Sequence, residues 1–178
     1  MKFKPMFFAV FLLLVVSPSL VQGANWISVS GMVFVGDADV LMFKEDGFSS
    51  YLTLQTSYGY AWAPVNFPPN TKGKKVVRME ALVYDGSTAS FGMLDIGGIR
   101  IHLVKVDLAT GGVTYVMGAG TPFAQAPGLV TLVATIGPYT EIDSGEIDNK
   151  KWAWYLRCIA AAPNIDELRL YGVRIRYK

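Results

Sequence analysis

Hydrophobic and polar residues alternate with a period of two in most of the chain after residue 24, in short segments that Gly, Pro, Asn and Asp interrupt. This period is typical of β-strands with one buried and one solvated face, because successive side chains of a strand point to opposite sides. Segment 74–84 shows it best, with apolar side chains on one face and charged side chains on the other: Val77, Met79, Ala81 and Val83 against Arg78 and Glu80.

Nine segments fit a strand: Trp26–Val35, Tyr51–Thr56, Gly59–Asn66, Lys74–Tyr84, Ile99–Val106, Val113–Met117, Leu129–Ile136, Trp152–Ala161 and Leu168–Tyr177. No helical crossover separates them. We therefore expect an all-β fold, a single antiparallel β-sandwich or jelly roll of about eight to ten strands. No repeat, charge block or low-complexity linker divides residues 24–178, which indicates one domain.

Two segments need a closer reading. In 152–161 the residues Trp152, Tyr155 and Leu156 also fit helical spacing, so a helix is the alternative to the strand that we favour. In 168–177 the apolar residues change parity near Gly172. A β-bulge at Gly172 would insert one extra residue and return the apolar side chains to the core.

Residues 1–23 have the three-part order of a secretory signal peptide. Lys2 and Lys4 precede an apolar run of 11 residues, 6–16, and Gly23 is a small residue at the expected cleavage position. That run is shorter than the roughly 20 residues that cross a bilayer. We predict cleavage after Gly23, a secreted or periplasmic protein, and no membrane span after cleavage.

The net charge of +2 comes from 16 basic and 14 acidic side chains, and Lys2 and Lys4 account for the excess. Residues 24–178 are therefore formally neutral, which argues against the basic surface that nucleic-acid-binding proteins carry. Cys158 is the single cysteine, so no intramolecular disulfide can form, and we expect its side chain to lie in the core.

Several sequence features together point to a family. They are Ala63-Pro64-Val65-Asn66-Phe67-Pro68, a strand ending in Val83-Tyr84-Asp85, a late aromatic strand, and Leu170-Tyr171-Gly172-Val173-Arg174-Ile175-Arg176-Tyr177. With this order the chain resembles uncharacterised secreted bacterial β-sandwich domains. The resemblance implies a jelly-roll-like fold, export and a bacterial origin, and it brings no catalytic residues with it.

Motifs for catalysis are absent from the sequence. It has no nucleophile elbow, no phosphate-binding loop and no dinucleotide fingerprint, and one histidine and one cysteine do not make an ordinary zinc site. His102 shares a strand face with Arg100 and Val104, which we expect to be solvated, and it has no partner motif for general-base chemistry. We expect no enzyme activity, with a hydrolase that uses loop carboxylates as the alternative.

The richest acidic segment is 141–149. Its four carboxylates, Glu141, Asp143, Glu146 and Asp148, could supply oxygen ligands to Ca²⁺, and Asp37 and Asp39 could join them if the fold allowed it. The spacing does not match an EF-hand, and a solvated loop is the simpler interpretation. Apart from this Ca²⁺ site, the sequence predicts no cofactor.

Aromatic residues suggest a ligand site. Tyr58, Tyr60 and Trp62 share one strand face, where their rings could stack on sugars or could pack in the core. Trp152 and Trp154 also share a face, with Tyr155 on the reverse, and for these two tryptophans we favour the core.

We therefore expect an exported, non-enzymatic β-sandwich that binds a glycan, the cell envelope or an extracytoplasmic protein. A structural subunit that assembles through strand edges is the second hypothesis, and the hydrolase is the third. The sequence does not determine the oligomeric state.

Overall fold

The computed structural model describes residues 25–36, 41–45, 50–54, 58–86, 98–121, 128–135, 145–161 and 168–178. The signal peptide predicted at 1–23 lies outside these residues. Eleven strands run through the described part of the chain: β1 (Trp26–Ser30), β2 (Val35–Gly36), β3 (Leu41–Glu45), β4 (Ser50–Leu54), β5 (Tyr58–Val65), β6 (Val76–Asp85), β7 (Gly98–Asp107), β8 (Val113–Gly120), β9 (Gly128–Thr135), β10 (Trp152–Ala161) and β11 (Leu168–Tyr177).

The strands form two antiparallel sheets. One sheet has the order β3-β4-β11-β6-β9, with β1 paired to β11 beside β4, and the other has the order β2-β5-β10-β7-β8. The all-β sandwich expected from the alternating pattern is thus confirmed. No helix among the described residues is long and apolar enough to cross a membrane.

The continuous strand predicted over Trp26–Val35 was wrong. A 3₁₀ turn at Gly31–Val33 divides it, so that β1 joins the six-stranded sheet and β2 joins the five-stranded sheet. The Ser30 hydroxyl caps this turn by accepting a hydrogen bond from the Met32 backbone N–H at 3.2 Å. A Cβ on Gly31 would lie 2.3 Å from the Leu170 carbonyl oxygen, so the crossing needs glycine. The sequence pattern also missed β3, a short strand without a strict period of two.

The core lies between the sheets and takes one face of each long strand. In the five-stranded sheet these buried residues are Ala61, Ala63, Val65, Ile99, Ile101, Leu103, Trp154, Leu156, Cys158 and Ala160. The prediction for Cys158 is confirmed, and burial raises the pKa of its thiol to about 12. Facing them from the other sheet are Met79, Ala81, Val83, Leu132, Leu170, Val173 and Ile175.

Bulges adjust which side chains reach the core. The pairing of β11 with β6 skips Tyr171, the residue before Gly172, so the predicted bulge is confirmed. The pairing of β7 with β8 skips Val116 in the same way. Segment 152–161 is strand throughout, which excludes the helical alternative.

Gly98, at the start of β7, and Gly111, in the turn after β7, both have positive φ, and comparing them tests the packing around Gly98. Gly98 has φ 75°, and a Cβ there would lie 2.1 Å from Asp85 Oδ2 and 2.5 Å from Thr121 Oγ1, whereas Gly111 has φ 73° and open space around it. We expect Gly111→Ala to lower the free energy of unfolding by ~1 kcal/mol, the cost of the left-handed backbone. Gly98→Ala should cost ~3 kcal/mol, because it adds a steric clash.

Urea denaturation followed by tryptophan fluorescence measures both values. Equal losses in the two variants would show that Asp85 and Thr121 move aside and that this corner of the sandwich is not tightly packed.

Candidate functional site

The outer face of the five-stranded sheet carries exposed aromatic side chains because of how β5 is oriented. Ala61 and Ala63 are completely buried, so the alternation of the strand directs Tyr60 and Trp62 away from the core. Trp62 is 40% exposed and Tyr60 is half-buried. Tyr58 has the same parity, but its side chain lies outside the described residues.

Strand pairing places charged and polar side chains beside these rings. Arg157 of β10 is directly opposite Trp62 on one side and opposite His102 of β7 on the other. Tyr155, two residues before Arg157 in β10, is opposite Pro64 of β5 on one side and Val104 of β7 on the other. The strands therefore align their outer side chains in rows across the sheet. We call the group Tyr60, Trp62, His102, Tyr115, Tyr155 and Arg157 the aromatic face.

Arg157 is at the centre of the aromatic face. Its guanidinium carbon lies 4.6 Å from the ring centroid of Tyr60 and 5.3 Å from that of Trp62. Both distances are within the range of cation–π attraction. Its Nη1 also donates a hydrogen bond to the Tyr115 hydroxyl on β8. These contacts hold a long, flexible side chain in one position on the sheet surface.

An open groove of about 480 Å³ adjoins this arginine and is lined by Arg100, His102, Tyr115 and residues 116–120. The His102 and Tyr115 rings meet edge to face, with centroids 5.3 Å apart. Gly118 is opposite His102, and a Cβ there would lie 2.2 Å from His102 Cδ2. The imidazole therefore occupies the space beside the Gly118 Cα, and a larger residue at position 118 would displace it.

His102 is surrounded by conditions that oppose its protonation. Burial, the Arg100 charge and the Arg157 charge together lower the pKa of His102 to about 4. Its Nδ1 is buried and has no hydrogen-bond partner among the described residues. The imidazole is therefore neutral near pH 7, and the positive charge around it comes from Arg100 and Arg157.

The prediction that the face of Arg100, His102 and Val104 is solvated was wrong at one position. Val104 lies between Tyr155 and Tyr115 in the strand register and is completely buried, although it belongs to the outer face. Its large aromatic neighbours remove it from water. His102 and Arg100 are half-buried.

The two tryptophans of β10 share the inner face of the strand, as the sequence predicted. Trp154 is buried in the core and Trp152 packs against the core, while Tyr155 lies on the reverse face. Beside them is Lys105, which the sequence analysis missed: it is 1% exposed, and its Nζ lies 4.1 Å from the Trp152 ring centroid. Alternation alone predicts that Lys105 faces the core, since it has the same parity as Ile99, Ile101 and Leu103.

The residues of the predicted calcium site are only partly described. Glu141, Asp143, Asp37 and Asp39 lie outside the described residues. Glu146 is exposed and its backbone bridges to Lys75. In the part of the chain that the structure describes, no three His, Cys, Asp or Glu side chains lie close enough to hold a metal ion.

Asp148 already has partners in the fold. A hydrogen bond from the Lys150 backbone N–H at 2.9 Å, followed by the Lys72 charge, holds the pKa of Asp148 below its usual value. Its carboxylate lies 3.6 Å from Lys72 Nζ. The calcium site stays a prediction.

Four members of the aromatic face, His102, Tyr115, Tyr155 and Arg157, were not identified as ligand-site residues from the sequence. Alternation along β10 was sufficient to place Arg157 on the outer face, because it has the parity of Tyr155. Alternation along β8 does not place Tyr115 there, because Tyr115 shares its parity with the buried Met117, and only the bulge at Val116 turns it outward.

No protein-family model matches the sequence, and neither does any curated protein. Solved structures do match. A family 6 carbohydrate-binding module from a marine laminarinase of Zobellia galactanivorans aligns with a TM-score of 0.51 at 12% identity, over 85% of this chain and 99% of that one. A β-1,3-glucan-binding family 6 module from Bacillus halodurans gives 0.51 at 13%, over 85% and 96%. A family 6 module from Clostridium cellulolyticum in complex with xylose gives 0.50 at 12%, over 86% and 98%. At these identities the likeness establishes a shared β-sandwich fold.

The lowered pKa of His102 predicts a stability loss in mild acid. Because the pKa is about 4 in the folded chain and 6.5 for an unperturbed histidine, the unfolded chain binds more protons between these values. The free energy of unfolding should therefore fall as the pH drops from about 6.5 to about 4. We expect this loss to be ~1 kcal/mol, reduced by solvent screening of a half-buried group.

Urea denaturation at pH 7 and about pH 4.5 compares the protein with His102→Gln, which should lack this loss. The pKa of Asp107, lowered by hydrogen bonds from the backbone N–H groups of Ala109 and Thr110, and that of Asp148 both lie below 3.8, outside this range. If the variant loses as much stability as the parent, another group is responsible.

Proposed function

We propose that the protein is an exported, non-catalytic module that binds carbohydrate on its aromatic face. The observation that carries this proposal is the row of exposed rings and one fixed arginine across a single sheet surface. Tyr and Trp rings offer flat apolar surfaces for stacking on sugar rings, while their polar groups remain available for hydrogen bonds. The signal-like segment 1–23 supports export.

The geometry suits an extended ligand. Trp62 and Tyr115 are 40% and 49% exposed and lie on opposite sides of Arg157, with the groove of about 480 Å³ beside Tyr115. A chain of sugar units can contact both rings and the guanidinium between them. The aligned solved structures are described as carbohydrate-binding modules, two of them named with β-1,3-glucan or xylose as ligand. Their sequences are too distant to identify a ligand for this chain.

A binding role without catalysis agrees with the charges of this face. Glycoside hydrolysis by the common mechanism needs two carboxyl groups about 5–10 Å apart across the scissile bond. Among the described residues, the outer face of β5, β10, β7 and β8 contains no Asp or Glu. The residues there can stack, donate hydrogen bonds and attract anions.

Replacing Trp62 tests this function. Trp62→Ala removes an exposed ring from the outer face of the sheet, so the fold should be preserved while the affinity for oligosaccharides falls at least about tenfold. Screening on a glycan array, followed by calorimetric titration of the best ligand, measures the change. The matched control is Trp26→Ala: Trp26 is half-buried on the six-stranded sheet and has Arg174 4.8 Å from its ring centroid.

The control separates a local effect from general destabilisation. Equal losses in Trp62→Ala and Trp26→Ala, or undiminished binding by Trp62→Ala, would contradict a site on the aromatic face. An absence of binding across the array would contradict the proposed function.

A second candidate function is self-association through β9, the hypothesis of assembly through strand edges. Strand β9 pairs only with β6 among the described strands, and its segment Gly128–Thr135 has no charged residue. Leu129 and Val133 are 63% and 47% exposed, and Leu82 of β6 is 41% exposed beside them. An uncharged edge strand with apolar side chains can pair with another chain.

This candidate predicts a sedimentation coefficient that rises with protein concentration and that Val133→Lys returns to the monomer value, because a charge disfavours edge pairing. Val113→Lys is the matched control, since Val113 is 55% exposed on β8, the edge of the other sheet. A monomer at all concentrations would contradict association.

A further inference from the structure

We propose that the aromatic face selects acidic saccharides, with the guanidinium of Arg157 pairing with an anionic group of the sugar. The inference rests on the proposed carbohydrate-binding function and deepens it, because it names the class of glycan. The shared chemistry is a sugar carboxylate or a sugar sulfate ester, each of which presents two or more oxygens to a planar guanidinium.

Arg157 is prepared for such a partner before the ligand arrives. The rings of Tyr60 and Trp62 on one side and the hydroxyl of Tyr115 on the other hold its guanidinium in place. An arginine that has already lost much of its rotamer freedom loses less entropy on pairing with an anion. Its Nε is buried and has no hydrogen-bond partner among the described residues, and a partly desolvated charge attracts a nearby negative charge more strongly.

Two surface arginines of the six-stranded sheet, Arg78 and Arg174, already have an acidic partner, in contrast to Arg157 and Arg100. On the outer face of the six-stranded sheet, Arg78 lies 2.6 Å from the Glu80 carboxylate, and Arg174 donates to the same carboxylate. On the outer face of the five-stranded sheet, Arg157 and Arg100 have no carboxylate partner among the described residues. An arginine without an acidic partner leaves its charge available to a ligand.

A second cation adds to the attraction. Arg100 of β7 lines the groove with His102, and both arginine charges contribute to the low pKa of that histidine. The imidazole therefore experiences a positive potential at this place on the sheet. Since residues 24–178 carry equal numbers of basic and acidic side chains, this potential is local, and it would orient an anionic sugar rather than attract polyanions over the whole surface.

Paired ligands that differ only in charge test the proposal. We would titrate the protein with an oligogalacturonate and its methyl ester, and with a sulfated oligosaccharide and its desulfated form, by calorimetry at low ionic strength. At least one acidic member should bind about tenfold or more tightly than its neutral partner, and added salt should reduce the difference. The pair that shows the preference identifies the carboxylate or the sulfate ester as the recognised group.

Variants then assign the preference to Arg157. Arg157→Gln should bring the affinity ratio of acid to neutral ligand close to one, and Arg157→Lys should retain part of it, because the charge remains without the planar fork. Arg176→Gln, which removes an equal charge from the exposed surface of the other sheet, should leave the ratio unchanged. If Arg157→Gln does not fold, Arg100→Gln should reduce the ratio in its place.

The outcomes separate this inference from the proposed function. Neutral glycans that bind as tightly as their acidic partners, or bind alone, would overturn the acidic preference and leave carbohydrate binding intact. A ratio that Arg176→Gln lowers as much as Arg157→Gln would also overturn it, because net charge would then explain the preference. Failure of every saccharide to bind would overturn both.

Discussion

The alternation of side chains on β5 and β10 is the constraint on which the candidate site depends. These neighbouring strands each have one face in the core, and on β5 that face is made of the small residues Ala61 and Ala63. Because the strand period is two, burying small residues on one side exposes the large residues between them. Tyr60, Trp62 and Arg157 are therefore on the surface as a consequence of the packing inside.

The strand register then brings these exposed residues next to each other. Arg157 is opposite both Trp62 and His102 only in the observed pairing of β10 with β5 and β7. A slip of one residue would turn the outer side chains of β10 into the core, at a large cost in buried apolar area and buried charge. Packing of the core therefore maintains the register that positions these surface residues. Mutations of the surface residues themselves need not disturb the fold.

Cations meet aromatic rings on both sides of the five-stranded sheet, with different consequences. Inside, Lys105 is buried against Trp152, where it contributes to the structure. Outside, Arg157 lies against Tyr60 and Trp62 and keeps part of its surface open. The same attraction stabilises the sandwich in one place and orients the arginine of the proposed binding site in the other.

The sequence by itself determined the fold class, the eight strand regions from β4 to β11 and the bulge near Gly172, because period-two alternation and isolated glycines depend on local sterics. It also placed Tyr60 and Trp62 on one face, but not on which side of the sheet, since either face of a strand can be the buried one. Only the tertiary structure decided that Ala61 and Ala63 are inside, that Gly31 carries the chain from one sheet to the other, and that a bulge at Val116 turns Tyr115 outward. Those features depend on which strands pair and in what register, and these long-range contacts leave no periodic signal in the chain.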